Sequence, residues 1–224
     1  MLRYYTRACN FYYGNESRLL ISKKKTIPLN KNKEISFDHI EIISRKSKKK
    51  ISIKKINHLP KNLKKKINFD LKKIQSKKKN FANLNFQKIP NIMGVLNLTP
   101  DSFSDGGIFN SKNKGKKHAL SMFRSGANII DIGGESTRPG SKTIKKELEW
   151  SRVEKVIKTI SKKIPTSLDS RKSQLMKKGI KLGVKLINDV SGLDYDPETI
   201  NFLKKYKTPF IIQHTQGEPE NMQN

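Results

Sequence analysis

A single cysteine, Cys9, leaves no partner for an intramolecular disulfide and no Cys pair for a CxxC metal site. That usage fits a reducing compartment, and the cytoplasm is the expected location. Acidic residues are also scarce, with 19 Asp and Glu against 48 Lys and Arg and a formal net charge of +29. Arginine makes up only 8 of those basic residues, yet it is Arg that forms bidentate contacts with phosphate and guanine. Lys, Ile and Asn recur throughout, as an AT-rich genome would produce. The charge is therefore read as compositional, and no specific nucleic-acid partner is expected. Long apolar runs are missing too. Nothing approaches the roughly 20 residues that span a bilayer, and Leu19–Ile21 is too short for a signal segment, so no membrane role is expected. The opening MLRYYTRACNFYYGNESR carries three Arg, as a mitochondrial presequence would, but its aromatic clusters and Glu16 favour a folded edge or small subdomain.

What is present is unevenly distributed. Residues 1–88 hold 25 Lys and Arg against 5 Asp and Glu, net +20, and the remainder carries +9. Residues 1–88 form a basic, Lys-rich N-terminal extension, read as a small subdomain or a partly disordered region. Within it Ser36–Ile43 and Ile51–Ile56 have the β-branched content of strands, while Lys46–Lys50 and Lys77–Lys79 read as solvated loops. His39 and His58 are isolated and read as surface residues.

From Ile89 the pattern alternates. Strands are predicted at Ile92–Leu98, Asn128–Ile132, Thr166–Leu168, Lys185–Asn188 and Phe210–Gln213. Helices are predicted at Lys114–Ser125, Ile144–Lys163, Ser173–Leu182 and Pro197–Tyr206. Val153, Val156, Ile157 and Ile160 fall on one helical face, Pro197 suits a first turn, and Gly126 and Gly183 stand where left-handed caps belong. A run of βα units leaves two α/β architectures, an open doubly wound sheet or a (β/α)8 barrel.

The strands end in polar residues: Asn97, then Asp131–Arg138, Asp169, Asn188 and His214. In a barrel all such ends lie on one face, where active sites are built. Two of these segments, MGVLNLTPDSFSDGG (93–107) and IIDIGGESTRPG (129–140), closely resemble the signature loops of the dihydropteroate synthases, pterin-binding enzymes of folate biosynthesis. The resemblance covers Ile92–Gln223 and favours the (β/α)8 TIM barrel. A barrel of this kind takes about 250 residues, so residues 89–224 would supply its N-terminal part, about the first five strands and four helices.

The resemblance also implies roles. Asn97, which alone could cap a turn, would ligate Mg²⁺ bridging to a substrate pyrophosphate. Phe103 would enclose an aminobenzoate ring, and Asp105 would pair with Arg138 as the first loop closes. Thr137 and Arg138 offer a hydroxyl and a five-donor cation suited to phosphate, and Pro139 would lie against the aminobenzoate. Asp169 could cap the next helix, but in the resemblance it contacts the pterin and stabilises developing positive charge. Asn188 would meet the pterin edge, and Asp189 reads as a supporting or capping residue. His214 stays open between a pocket residue and a structural hydrogen bonder. Ser170 and Thr215 depart from the family's usual Thr and Met.

The implied reaction joins 6-hydroxymethyl-7,8-dihydropterin pyrophosphate to p-aminobenzoate, giving 7,8-dihydropteroate and pyrophosphate. Three elements that the resemblance would place further on have no counterpart before Asn224, so a fragment of a longer frame is expected, with a homodimer possible at full length. The alternatives are a pterin-dependent methyltransferase and a non-catalytic half barrel with a basic RNA- or partner-binding region.

Overall fold

The structure, a computed structural model, describes residues 4–88, 90–99, 113–138 and 140–213. It divides into two units, 1–79 and 80–224, so the boundary falls nine residues before the composition shift at Lys88.

In the first unit, hydrophobic alternation along a long strand organises everything else. Its strands are β1 (Tyr5–Tyr13), β2 (Ile27–Leu29), β3 (Asn32–Ile43) and β4 (Lys48–Ser52), with α1 (Gly14–Ser22) after β1. β3 pairs antiparallel with the other three. A 3-10 helix follows at Ile53–His58, then α2 (Lys61–Gln75). Ile40 and Ile42, two apart on β3, face the same side and meet Ile67 and Leu71, four apart on α2. The Thr6 hydroxyl donates to Asp70 Oδ2 at 2.8 Å, pinning α2 to β1.

Two local expectations fail here. Lys48–Lys50 is not loop but an exposed edge strand, where lysines discourage further pairing. Ile53–Ile56 is helical, because the Ser52 side chain accepts from Lys54 N and turns the chain.

In the second unit, β5 (Met93–Asn97), β6 (Ile129–Gly133), β7 (Thr166–Asp169), β8 (Leu186–Asp189) and β9 (Phe210–Ile212) alternate with α3 (Lys114–Arg124), α4 (Lys146–Ile160), α5 (Ser173–Lys181) and α6 (Glu198–Tyr206). Gly126 and Gly183 close α3 and α5 with φ of +111° and +102°. The strands lie in sequential order, all parallel. A doubly wound sheet reverses direction somewhere, and this one never does. The helices consequently fall on one face. Leu96, Ile130, Ile132, Leu168 and Ile187 point into them against Val153, Ile157, Leu175, Met176 and Phe202. The other face is the interior of a partial (β/α)8 barrel.

Apolar side chains at both sides of the five-stranded sheet stay in solvent: Ile92 and Val95 at β5, and Phe210, Ile211 and Ile212 on β9. Prepared alone, residues 1–224 are expected to self-associate and bind an apolar dye, because such surface and two parallel strand edges invite pairing. A dye-silent species that sediments as a monomer at every concentration would contradict this.

Candidate active site

The sheet pairs without a slip, so residues from separate strands line up in rows. Asn97 stands beside Gly133, Gly133 beside Asp169, Asp169 beside Asn188, and Asn188 beside Ile211. Side chains alternate along a strand, and this row faces the barrel interior at the C-terminal rim. Two residues deeper, Val95, Asp131, Ser167 and Leu186 form the next inward row. Asn188 Nδ2 donates to Asp131 Oδ2 at 2.9 Å, which fixes the plane of its carboxamide from beneath.

Two glycines make room at the end of β6. A Cβ on Gly133 would sit 3.2 Å from Asn97 Oδ1 and 3.4 Å from Asp169 Oδ2, so these two oxygens flank one spot. A Cβ on Gly134 would meet Glu149 O at 2.8 Å and Val153 Cγ1 at 2.9 Å. Only glycine lets this turn press against α4, and Arg152 Nη1 then reaches the Gly134 carbonyl at 2.8 Å.

Beyond the turn, Ser141 closes the loop on itself, with Ser141 Oγ donating to the Ser136 carbonyl at 2.7 Å and Ser141 N to that of Arg138 at 3.0 Å. Thr137 is half-buried and Arg138 exposed on this loop. The structure therefore places Asn97, Asp169 and Asn188 in one row and carries Thr137 and Arg138 on the loop from the strand between them. Phe103, Asp105, Pro139 and His214, expected at the same site, lie outside the described residues, as does Thr215.

Residues 93–224 match the Pterin binding enzyme family. The chain belongs to that family. Among relatives of this chain, the dihydropteroate synthase of Synechocystis is 41% identical over 135 residues, which is 59% of this chain and 47% of the relative. A solved dihydropteroate synthase of Anaplasma phagocytophilum with bound 6-hydroxymethylpterin-monophosphate is 39% identical, with a TM-score of 0.51 over 57% of this chain and 49% of the other. One from Xanthomonas albilineans with 4-aminobenzoic acid is 35% identical, with a TM-score of 0.52 over 58% and 48%. The chain spans about half the length of the curated relatives it matches.

The rim rests on buried charges that the sequence reading left without roles. Glu135, in the GGESTRPG segment, accepts from Arg171 Nε at 3.1 Å, Lys172 Nζ at 2.9 Å and the Ile144 N–H at 2.9 Å. Glu149 on α4 accepts from Lys172 Nζ at 2.5 Å and Ser170 Oγ at 2.6 Å. Arg171 also donates to Thr143 at 3.2 Å and stacks 4.1 Å from the Tyr195 ring centre. Side-chain exposure is 4% for Glu135 and Arg171, 9% for Lys172 and 0% for Glu149. Charged residues in a polar loop, or in the first turn of a helix as Glu149 is, read as surface, so no local signal marked these four. Asp189, expected to support or cap, does close a turn, accepting from Ser191 N at 2.8 Å and Leu193 N at 3.1 Å.

Electrostatics separate the carboxyls. Burial raises Glu135, but Lys172, the Ile144 N–H and Arg171 outweigh it and hold the group below the usual range. Burial pushes the Asp169 carboxyl up to about 8, and the nearby charges of Asp131, Glu149, Asp189 and Glu135 push the same way. Asp131 is raised by burial, with Ser167 and Asn188 acting against it. The Asp169 carboxyl thus holds its proton to higher pH than an ordinary carboxyl.

A proton that the folded chain binds more tightly than the unfolded one stabilises the fold below the unfolded pKa and is lost as pH rises through the folded one. Stability is therefore expected to decline between roughly pH 4 and 8 and to level off above. Asp169→Asn should flatten that decline in denaturant titrations across pH, and an unchanged slope would show that Asp169 does not carry it. Gly134→Ala should cost about 1–3 kcal/mol, because the methyl meets backbone. Gly133→Ala, which meets only side-chain ends, should cost clearly less. Equal unfolding midpoints for the two variants would refute the packing argument.

Proposed function

We propose that the protein of which these residues form part is a dihydropteroate synthase. The observation that carries the reading is the inward row of Asn97, Asp169 and Asn188 with the Thr137–Arg138 loop above the same rim. One end of the site offers carboxyl and carboxamide groups to a flat, hydrogen-bonding ring, and the other offers a hydroxyl and a guanidinium to phosphate. The ligands bound in the Anaplasma and Xanthomonas enzymes, 6-hydroxymethylpterin-monophosphate and 4-aminobenzoic acid, have the two chemistries that this division suits.

In this reading the aromatic amine of p-aminobenzoate displaces pyrophosphate from the methylene carbon of 6-hydroxymethyl-7,8-dihydropterin pyrophosphate. The carbon–oxygen bond breaks with its electron pair leaving on pyrophosphate, the carbon–nitrogen bond forms, and the amine loses a proton. Asn188, its amide N–H already given to Asp131, presents its carboxamide oxygen to the pterin edge. Asp169 lies where an N–H-rich ring draws the carboxyl toward its ionised form, which then faces the positive charge growing as pyrophosphate departs. Thr137 and Arg138 hold the departing group. The family resemblance would add Phe103, Asp105 and Pro139 to the pocket, with His214 either a pocket residue or a structural hydrogen bonder. No covalent bond to the protein is needed, because positioning and charge stabilisation suffice.

The residues fit Mg²⁺. Asn97 Oδ1 is a hard oxygen donor on the C-terminal rim, and Mg²⁺ is held by one or two protein oxygens together with substrate phosphate and water. Among the described residues no group of three or more His, Cys, Asp or Glu could hold a metal unaided. When bound, Mg²⁺ would neutralise pyrophosphate charge. A cytoplasmic enzyme, a homodimer at full length, and no specific nucleic-acid partner belong to the same reading.

In the full natural protein, Asn97→Ala should weaken pyrophosphate binding about tenfold or more, the scale of a lost hydrogen bond to a charged group. Phe103→Ala should act on the KM for p-aminobenzoate. Calorimetry and steady-state kinetics would separate the two effects, and a rise confined to the aminobenzoate KM in both variants would overturn the assignment. Failure of the wild type to bind p-aminobenzoate in the presence of pyrophosphate would instead favour a methyltransferase or a non-catalytic barrel.

A further inference from the structure

The stretch that follows Asp169 is fastened unusually firmly. Ser170, Arg171 and Lys172 are consecutive, and each donates a hydrogen bond to a buried glutamate. Those glutamates come from different places. Glu135 belongs to the turn after β6, two residues before Thr137, and Glu149 lies in the first turn of α4. Lys172 Nζ alone touches both, at 2.9 Å and 2.5 Å. A single ammonium thus joins the chain leaving Asp169 to the loop bearing Thr137 and Arg138, with α4 as the common anchor.

Such an arrangement is not an efficient way to gain stability. Removing two charges from water costs about as much as their mutual attraction returns, and a well-packed apolar pair of similar volume often does as well or better. Geometry is what an apolar pair could not supply. An ammonium between two carboxylates fixes distances in a way that interchangeable hydrocarbon contacts do not. Hydrogen bonding to Glu149 and Glu135 also keeps Lys172 ionised against the pull of burial.

We propose that Lys172, held between Glu135 and Glu149, is a positioning residue that sets the Thr137–Arg138 loop against Asp169 and thereby governs binding of the substrate's diphosphate end rather than its ring. The proposal rests on the dihydropteroate synthase reading for the identity of that substrate. Lys172 Nζ bonds to Glu135 and Glu149 rather than to the Thr137–Arg138 pair itself. Its effect passes through Glu135 to the loop.

The test uses the full natural protein with Mg²⁺ present. Calorimetric affinities are measured for 6-hydroxymethyl-7,8-dihydropterin and for its pyrophosphate ester, and their ratio reports the diphosphate contribution. The variant is Lys172→Met combined with Glu149→Gln, which removes one charge of each sign and leaves Glu135 with Arg171. Affinity for the ring alone should stay within about threefold, while the diphosphate advantage should fall at least tenfold, a loss of about 1.4 kcal/mol. Lys172→Arg, which keeps the charge, should recover part of that advantage. Equal losses for both ligands, or none for either, would overturn the proposal. Should the double variant not fold, Glu135→Gln loosens only the loop end of the bridge, and the same ratio decides.

If the wild type binds neither ligand, the functional reading fails and the positioning role is judged by hydrogen exchange. Faster exchange in the variant at the Ser141 N–H, which bonds to the Arg138 carbonyl, with unchanged exchange at Ser170 N, would support it. Uniform acceleration or none at all would overturn it.

Discussion

Unslipped parallel pairing across β5 to β8 is the constraint on which the site depends. Side chains on a strand alternate faces, so a slip of one residue in β7 would turn Asp169 toward the helices and bring Leu168 to the interior. The register is secured from the helix side, where Leu96, Ile130, Ile132, Leu168 and Ile187 are packed against α3 to α6 and cannot exchange faces without exposing a buried core. Hydrophobic burial on one face therefore sets the chemistry on the other. Asn97, Asp169 and Asn188 meet because their apolar neighbours in sequence are held by helices.

Close backbone approach is the second requirement. Gly133 and Gly134 adjoin each other at the end of β6 and serve different neighbours. The first leaves a side open to the oxygens of Asn97 and Asp169, and the second lets the turn settle on the α4 backbone. The turn then delivers Glu135 into a buried network with Arg171, Lys172 and Glu149. Buried carboxylates and cations balance there, which lets four charged side chains sit where an unpaired one would be costly. Among the described residues no ion pair reaches Asp169, and burial together with nearby carboxylates raises its carboxyl. Neighbouring carboxyls in one protein thus have opposite tendencies, set by which of them the network reaches.

The N-terminal unit has its own sheet and its own core around Phe37, Ile40 and Ile67. Its lysines lie along exposed strand and helix surface, consistent with a charge excess carried on the outside of a folded unit. The family match begins at Met93, so the relatives' chemistry bears on the second unit alone.

Much of the second unit was legible in the sequence because its signals are local. Short strand-like segments ended by polar residues marked each strand, helical spacing marked Val153, Ile157 and Ile160, the two loop motifs singled out Asn97, Thr137 and Arg138, and polar strand ends singled out Asp169 and Asn188. In the first unit the reading was weaker. Strong Lys content hid α2, and Lys48–Lys50 read as loop because an exposed edge strand has little apolar alternation to show. Tertiary structure decided what depends on distance through space. It chose a singly wound sheet over a doubly wound one, put Asp131 beneath Asn188, and buried Glu135, Glu149, Arg171 and Lys172 together. Those pairings join residues up to 57 positions apart, and whether a charge is buried depends on which partner the fold brings to it.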